Sequence, residues 1–344
     1  MVKDKILGSI LGAALGDAMG AITETRSAER IKEDFGGYIE KLITPPDDCF
    51  AHGYDLGAIT DDFSLAYFTA IELVKAKGKV TDEVAKQAVL TWSEYPEFFH
   101  FAGPTTEAAV RKMKGLDAEE KANNGKIDRS YVAADNGKAT NGSAMKIFSA
   151  GLINPGNLDK AVEDTVTICM PTHPNNASIS GAAAISAAVA KAMEENAMLD
   201  DVIAAGIYGA EKGFEIGSQK GNRLAVPSVA KRIRLAVEIG KKGLSWEEEM
   251  LELRDVIGAG LMVVEAVPCA FGILAANPGD PFGAIKMGVN IGDDTDTVAT
   301  MVGAMAGALY GIGNMPLEYL ELMEKVNKIE LRKLADDVER EFYA

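Results

Sequence analysis

Apolar residues recur at intervals of three and four along most of the chain, which is the period of an α-helix that buries one face. The same segments are rich in Ala, Leu, Met, Lys and Glu, residues with high helix propensity. The pattern predicts helices over Ile59–Lys77, Glu83–Tyr95, Asp159–Cys169, Ala177–Glu195, Leu199–Gly213, Val229–Gly240, Glu247–Ala276 with a possible break at Pro268, Asp296–Tyr310 and Pro316–Phe342.

The first apolar stretch runs from Ile6 to Ile22 and follows two lysines, an order that can imitate a targeting signal. Asp17 interrupts it, and it is too short for a membrane-spanning helix. Glycines recur in it with a strict period of four, at Gly8, Gly12, Gly16 and Gly20. On a helix this spacing forms one smooth stripe against which another backbone can pack closely, so a buried helix is predicted.

Alternating apolar and polar residues, the mark of a strand, are nearly absent, and Tyr38–Thr44 is the one modest candidate. Loops rich in turn-forming residues are predicted at Pro45–Gly57, Phe98–Pro104, Asn123–Asn141, Pro171–Asn176, Ser218–Pro227 and Pro278–Pro281. No linker or repeat divides the chain. We therefore expect an all-α fold in which residues 1–344 form one large helical domain.

The composition is that of a globular protein, with 47% hydrophobic and 25% charged residues among 344. The formal net charge of −16 repels phosphate backbones, which argues against a nucleic-acid partner. Nothing in the sequence calls for a membrane partner. The three cysteines, Cys49, Cys169 and Cys269, are too few and too scattered for a disulfide framework or a zinc cluster, which favours a reducing, cytoplasmic setting.

Two short acidic clusters each open a predicted helix, Thr60-Asp61-Asp62 and Gly292-Asp293-Asp294-Thr295-Asp296-Thr297. Either cluster alone is explained by helix capping, because Thr and Asp satisfy free amides and acids suit the helix dipole. Together they place five Asp and three Thr at two helix starts, far more than capping needs. If the two starts converge, the carboxylates repel one another unless cations neutralise them, and hard divalent cations prefer such oxygen ligands.

The chain resembles the ADP-ribosylglycohydrolase family, which includes dinitrogenase-reductase-activating glycohydrolase and the J-type lens crystallins. The opening signature lies in Gly12–Gly20 with Glu24, followed by Thr60-Asp61-Asp62. Further motifs follow in the family's order: Gly103-Pro104-Thr105-Thr106, Asn141-Gly142-Ser143-Ala144-Met145, Thr172-His173-Pro174, Glu265-Ala266-Val267-Pro268 and Asp294-Thr295-Asp296-Thr297. Each motif alone is weak, whereas the ordered set, from about Ile6 to Gly311, is specific.

The resemblance implies an all-α hydrolase with two divalent cations, Mg²⁺ or Mn²⁺, that cleaves a bond at the anomeric carbon of a ribose. The implied metal ligands are Thr60, Asp61, Asp62, Asp294, Asp296 and Thr297. The implied catalytic carboxylates are Glu24, Asp61, Asp62 and Asp296. The implied substrate-binding residues are Asn141, Gly142, Ser143, Ala144, Met145 and His173, with the 141–145 loop against the diphosphate or distal part of the ligand.

Some of these residues have a plainer explanation. Glu24 is either a catalytic or metal-proximal acid or a solvated residue beside Arg26, and the 141–145 loop is either a ligand loop or an ordinary Asn-Gly turn. His173 is a ligand contact or a capping and packing residue. Glu94 and Glu97 are weaker candidates for the general base.

Three positions depart from the family pattern, which usually has Thr at Phe63, Arg at Lys146 and Gly at Asp293. Lysine lacks the planar fork that binds an anion through two hydrogen bonds, and Asp293 adds negative charge next to the expected metals. If a diphosphate lies along Asn141–Lys146, we expect Lys146 or a nearby amide to offset its charge.

Three functions stay open. The first is hydrolysis of an ADP-ribose-containing substrate, such as an ADP-ribosylated protein. The second is hydrolysis of a smaller nucleoside-like riboside, favoured by the altered phosphate features. The third is a non-catalytic role, binding ADP-ribose or serving structurally as the crystallin relatives do. Retention of all six implied ligand positions argues against the third.

Overall fold

The computed structural model describes residues 2–116 and 136–343. The predicted loop Asn123–Asn141 lies mostly outside them. The α-helices of the described residues are α1 (Val2–Gly20), α2 (Ala28–Asp34), α3 (Asp61–Lys75), α4 (Asp82–Trp92), α5 (Pro96–Phe99), α6 (Pro104–Met113), α7 (Phe148–Leu152), α8 (Leu158–Cys169), α9 (Asn176–Ala192), α10 (Leu199–Lys220), α11 (Val229–Gly240), α12 (Trp246–Val256), α13 (Val263–Ala276), α14 (Pro281–Asn290), α15 (Thr295–Tyr310), α16 (Glu318–Asn327) and α17 (Leu331–Phe342).

The fold is all-α, as the sequence predicts. Within the described ranges β-pairing is limited to three isolated bridges, and Tyr38–Thr44 has no regular structure, so the strand suggested there is wrong. Ile39 in this segment is held by a loop-like contact, because its amide donates to the side-chain oxygen of Asn290 and its carbonyl accepts from the amide nitrogen of the same residue. No helix in the described ranges has both the length and the apolar content needed to cross a bilayer.

The glycine stripe of α1 packs antiparallel against α15. A Cβ added to Gly12 would lie 2.3 Å from the carbonyl oxygen of Gly303, and one added to Gly20 would lie 2.3 Å from the Cα of Asp296. Both are below any real van der Waals separation, so only glycine permits this approach. Close packing therefore places the carboxyl end of α1 directly against the first turn of α15.

The long predicted helix over Glu247–Ala276 is two helices, separated at 257–262 rather than at Pro268. Gly258 lies in this break with φ of +84°, a conformation that glycine adopts without strain. Pro268 lies inside α13, where it removes the amide that would bond to the carbonyl of Val264. The Nε of Arg232 donates to that carbonyl at 2.5 Å, which satisfies it and explains why the helix continues.

The segment Pro316–Phe342, predicted as one helix, is divided between α16 and α17. Lys328 ends α16 in the left-handed region, with φ of +54°, and the following amide of Ile329 returns to the carbonyl of Glu324. Asn327 then ties this end to the loop before α3, because its side-chain oxygen accepts from the amide of Ile59 and its amide nitrogen donates to the carbonyl of Gly57.

Candidate active site

The amino ends of α3 and α15 meet at one cleft of about 180 Å³. Asp61 and Asp62 reach it from the first turn of α3, and Asp294 and Asp296 reach it from the start of α15. All four side chains are buried. The two acidic clusters of the sequence therefore face each other, which neither helix requires for capping.

Asp17, buried on α1, positions the start of α3. Its carboxylate accepts hydrogen bonds from the amide of Thr60 at 2.9 Å, the hydroxyl of Thr60 at 2.8 Å and the amide of Phe63 at 3.0 Å. The Thr60 oxygen also accepts from the amide of Asp62 at 3.3 Å. Thr60 is thus bonded to the protein on two sides and is absent from the cleft lining, whereas Thr297 lines the cleft.

Glu24 follows α1 and turns its carboxylate toward α15. One oxygen each from Glu24, Asp294 and Asp296 lie within 4.8 Å of one another. Arg26 is turned elsewhere: it is buried, pairs with Asp34, and donates to the carbonyl of Ile22. Glu24 therefore lies among the acids of α15, and the Arg26 side chain is directed away to other partners.

Burial dominates the electrostatics of this cluster. Burial and the neighbouring charges of Asp294 and Asp17 raise the pKa of Glu24 to about 8. Burial first, and neighbouring carboxylates second, raise the pKa values of Asp61, Asp62 and Asp296 well above the ordinary range for aspartate. No lysine or arginine of the described residues lines the cleft to offset this charge.

The side-chain oxygens fit a divalent cation. Glu24 Oε2 and Asp62 Oδ2 are buried without a hydrogen-bond partner in the described part of the chain, which is costly for carboxylates unless a cation or water binds them. The acidic side chains and Thr297 offer carboxylate and hydroxyl oxygens, the set that Mg²⁺ and Mn²⁺ prefer, and the His173 ring in the same lining has both nitrogens within hydrogen-bond distance of threonine hydroxyls. Glu24, Asp294 and Asp296 are grouped tightly enough to hold one ion, with Asp61 and Asp62 in the same cleft.

The 141–145 loop packs against the second acidic cluster. The Asn141 side chain donates to Asp294 at 2.5 Å, and the Asn141 carbonyl accepts from the amides of Ala144 and Met145. The amides of Gly142 and Ser143 donate to no acceptor among the described residues. Gly142 and Met145 line the cleft, while the Ser143 hydroxyl donates to a backbone carbonyl and Ala144 is buried in the core. The loop thus offers two backbone donors rather than five side chains.

His173 lines the cleft beside this loop. Its Nδ1 lies 2.9 Å from the hydroxyl oxygen of Thr172, and its Nε2 lies 3.1 Å from that of Thr140. Burial, assisted by the nearby charge of Lys146, lowers the pKa of His173 to about 3, so the ring is neutral. Lys146 is itself fully buried behind Thr172 and is absent from the cleft lining, so of the two expected ways to offset a diphosphate charge, Lys146 or a nearby amide, the geometry favours the amides.

The other two departures from the family pattern also have a structural explanation. Phe63 is a core residue, with its ring stacked on Phe148 at a centroid distance of 6.2 Å. Asp293 is exposed, lies outside the cleft lining and has φ of +66°, in the left-handed region that glycine adopts most easily. Neither departure removes a side chain from the acidic cleft.

Sequence reasoning missed several residues of this cleft. They include Phe50, whose ring centroid lies 5.3 Å from that of Phe101, and Thr140, which lines the wall beside His173. These residues lie in loops without periodicity, so no local pattern identifies them. Asp17 did carry a signal, because it is the one acid inside a continuous apolar stretch. Glu94 and Glu97, named as weaker candidates for the base, are exposed and outside the cleft lining.

Comparison with known proteins agrees with the fold. A solved structure described as an ADP-ribosylglycohydrolase-related protein complex superposes with a TM-score of 0.67 and 21% identity, covering 99% of this chain and 98% of that chain. At this identity the match shows the fold alone.

Curated relatives extend the comparison to sequence. The uncharacterized protein YegU of Escherichia coli is 28% identical over 97% of this chain and 96% of its own length. The ADP-ribosylarginine hydrolase Tri1 of Pseudomonas putida is 25% identical over 97% of this chain and 78% of its own length. The ADP-ribosylhydrolase ARH3 of Danio rerio is 34% identical over 34% of this chain and 32% of its own length.

The family model described as ADP-ribosylglycohydrolase matches residues 1–344, the full sequence. The match covers both acidic clusters, the 141–145 loop and His173, the residues that the fold places around one cleft. The chain belongs to the ADP-ribosylglycohydrolase family.

Proposed function

We propose that this protein is a Mg²⁺- or Mn²⁺-dependent glycohydrolase that releases ADP-ribose from an ADP-ribosyl conjugate by cleaving the bond at the ribose anomeric carbon. The observation that carries the proposal is the convergence of Glu24, Asp61, Asp62, Asp294 and Asp296 on one cleft. Since the family match and the structural match both extend over the chain, we further propose that residues 1–344 act as one catalytic domain.

Two cations are assigned to the oxygens of Asp61, Asp62, Asp294, Asp296 and Thr297, with Glu24 adjacent. Thr60 stays in the proposed ligand set only through the second lone pair of its hydroxyl oxygen, since that hydroxyl already donates to Asp17 and accepts from the amide of Asp62. When bound, divalent cations would orient the ribose hydroxyls and stabilise negative charge on the attacking water or the leaving group. The Asn141 side chain holds Asp294 by its 2.5 Å hydrogen bond, and the amide of Thr297 holds Asp296 at 2.9 Å. These contacts keep the carboxylates aimed into the cleft.

Glu24 is the residue that we propose to exchange protons with the attacking water or the leaving group. Its Oε2 has no hydrogen-bond partner in the described part of the chain, so this oxygen is available to a ligand. Burial and the neighbouring carboxylates raise its pKa to about 8 in the metal-free protein, and cations bound beside it would offset those charges and favour the carboxylate form that can accept a proton from water. Asp61, Asp62 and Asp296 support this chemistry by holding the sugar and balancing charge.

The distal part of the substrate is proposed to lie along Gly142, Ser143 and His173. The free amides of Gly142 and Ser143 can donate to an anionic oxygen. A neighbouring cleft shares His173 with the acidic cleft, and its lining includes the exposed cations Lys112 and Lys138. This continuity of a polar cleft with two lysines, in a chain of net charge −16, supports a phosphate-bearing substrate.

A smaller riboside is the second candidate substrate. The acidic cleft has a volume of only about 180 Å³, smaller than the roughly 300–1,000 Å³ of ordinary ligand sites, and no lysine or arginine of the described residues lines it. Both features suit a nucleoside-like compound that needs no phosphate contact.

A hydrolysis screen distinguishes the candidates. Chelator-treated protein is supplied with Mg²⁺ or Mn²⁺ and assayed on ADP-ribosyl-arginine, ADP-ribosyl-serine and simple ribosides. We expect metal-dependent release of ADP-ribose, reduced about 100-fold or more in Glu24→Gln. The matched control is Glu33→Gln, which removes an exposed carboxylate outside the cleft. Cleavage of the ribosides alone would establish the second candidate, and activity that persists in chelator would contradict metal dependence.

A further inference from the structure

A chain of four buried or half-buried polar side chains runs from the protein core to the acidic cleft. Lys146 Nζ donates to the hydroxyl oxygen of Thr172 at 2.9 Å, and that oxygen lies 2.9 Å from Nδ1 of His173. Nε2 of His173 lies 3.1 Å from the hydroxyl oxygen of Thr140, which lines the cleft. Lys146, Thr172 and His173 are all at least 95% buried.

The buried ammonium and the need to pair each buried hydroxyl hydrogen together set the directions of the hydrogen bonds in this chain. An ammonium group only donates, so the Thr172 oxygen accepts from Lys146, and Nδ1 of His173 is the acceptor that the described residues offer to the Thr172 hydrogen. The ring is neutral, so an Nδ1 that accepts leaves the proton on Nε2, which donates to the oxygen of Thr140. The hydroxyl hydrogen of Thr140 is then left over and faces the cleft.

We infer that Thr140 is a substrate-binding residue that presents a hydrogen-bond donor to an anionic or carbonyl-like oxygen, and that Lys146 and Thr172 are positioning residues that set this polarity through His173. Successive hydrogen bonds polarise one another in the same direction, so the buried positive charge strengthens the terminal donor. The identity of the oxygen rests on the proposed function, whereas the polarity of the chain is independent of it.

The backbone around His173 keeps its ring within hydrogen-bond distance of Thr140. A Cβ on Gly142 would lie 3.1 Å from both Cε1 and Nε2 of His173, so a larger residue would push the ring off Thr140. Pro171 and Pro174 flank the pair Thr172-His173 and restrict its backbone. Thr140 and Gly142 both line the cleft and both lie against the His173 ring, so the hydroxyl and the free amide of Gly142 are available to one ligand.

Nitrogen-15 NMR of the His173 ring in the ligand-free, full-length protein tests the polarity. We expect a bare Nδ1 and a protonated Nε2 in wild type at neutral pH. In Lys146→Met the ammonium no longer dictates the direction, and both tautomers should appear, whereas Lys146→Arg should restore the single tautomer. Protonated Nδ1 in wild type, or a spectrum unchanged in Lys146→Met, would overturn the inference.

Calorimetry with ADP-ribose and Mg²⁺ tests the binding role. Thr140→Val removes the hydroxyl without changing the side-chain volume much, and we expect about tenfold weaker binding. Thr140→Ser should bind within about twofold of wild type, and so should the control Thr167→Val, whose hydroxyl donates to the backbone carbonyl of Glu163 and lies outside the cleft lining. Equal binding by wild type and Thr140→Val would overturn the role of Thr140. Absence of ADP-ribose binding in wild type would instead refute the proposed substrate and leave the NMR result to decide the polarity.

Discussion

The carboxylate of Asp17 accepts both the amide and the hydroxyl hydrogen of Thr60, and so fixes the residue at which α3 begins. Because Asp17 lies on α1, and the carboxyl end of α1 packs on the first turn of α15, one helix positions both acidic clusters. The glycine stripe and the acid inside it thus belong to a single arrangement that brings the carboxylates together.

Asp17→Asn should lower the free energy of unfolding by about 2 kcal/mol, because an amide cannot accept all three buried hydrogen bonds and leaves a donor unpaired. Chemical denaturation with the linear extrapolation measures the change. The control Asp336→Asn breaks an exposed ion pair with Lys3 and should change stability by less than about 1 kcal/mol. Equal effects of the two substitutions would show that Asp17 does not hold the start of α3.

Asp296→Asn should weaken Mg²⁺ binding by about tenfold or more, because it removes a ligand charge in a buried site. Thermal stability without metal should stay equal or rise, since the remaining carboxylates repel one another less. Asp293→Asn is the matched control, because it removes the same charge at an exposed residue outside the cleft. Marked loss of metal-free stability together with unchanged Mg²⁺ affinity would instead assign Asp296 to helix capping.

Gly20→Ala should destabilise the protein by about 2 kcal/mol and also weaken metal binding, because the new methyl group would meet the Cα of Asp296 at 2.3 Å. Gly8→Ala lies at the other end of the same interface, 2.6 Å from the carbonyl oxygen of Gly307, and should cost a similar stability without changing metal affinity. Differential scanning calorimetry with and without Mg²⁺ separates the two effects. Identical metal responses would contradict a direct link between the α1–α15 packing and the site.

Lys146→Met should raise the free energy of unfolding at pH 7 by up to about 3 kcal/mol, because burial lowers the pKa of this lysine from 10.5 to about 8 and its charge is therefore costly. Between these two values the unfolded chain binds more protons than the folded protein, so wild-type stability rises with pH and the advantage of methionine shrinks toward pH 10. Chemical denaturation of both proteins at pH 7 and at pH 10 measures the difference in their free energies of unfolding. The exposed control Lys79→Met should show no such pH dependence. A stability difference that does not change with pH would contradict the buried charge.

Asp293→Gly should stabilise the protein by about 1 kcal/mol, because the residue has φ of +66° and glycine adopts this conformation without strain. Its carboxylate is exposed and outside the cleft lining, so hydrolysis should change little. Thermal denaturation and a hydrolysis assay on the same preparation check both expectations. A several-fold gain in ADP-ribose affinity would instead place this charge close to the bound phosphates.

Much of the fold could be predicted from the sequence because the helices depend on local properties. Apolar periodicity and helix propensity place Val229–Gly240 with its observed bounds and most other long helices within a few residues. Short helices such as Pro104–Met113 and Pro281–Asn290 were missed, because their apolar pattern is too brief to stand out. The strand at Tyr38–Thr44 and the break at Pro268 were wrong, because side chains distant in sequence, Asn290 and Arg232, decide those hydrogen bonds.

The sequence by itself determined an all-α chain with two acid-rich helix starts and a smooth glycine stripe, since these are properties of neighbouring residues. Only the tertiary structure decided that the two helix starts face each other, that Glu24 turns toward Asp294 and Asp296, and that Lys146 lies in the core behind His173. The physical reason is that a carboxylate cluster forms only where packing overcomes its repulsion. Here that packing is the backbone contact between α1 and α15, whose partners lie nearly 300 residues apart in sequence.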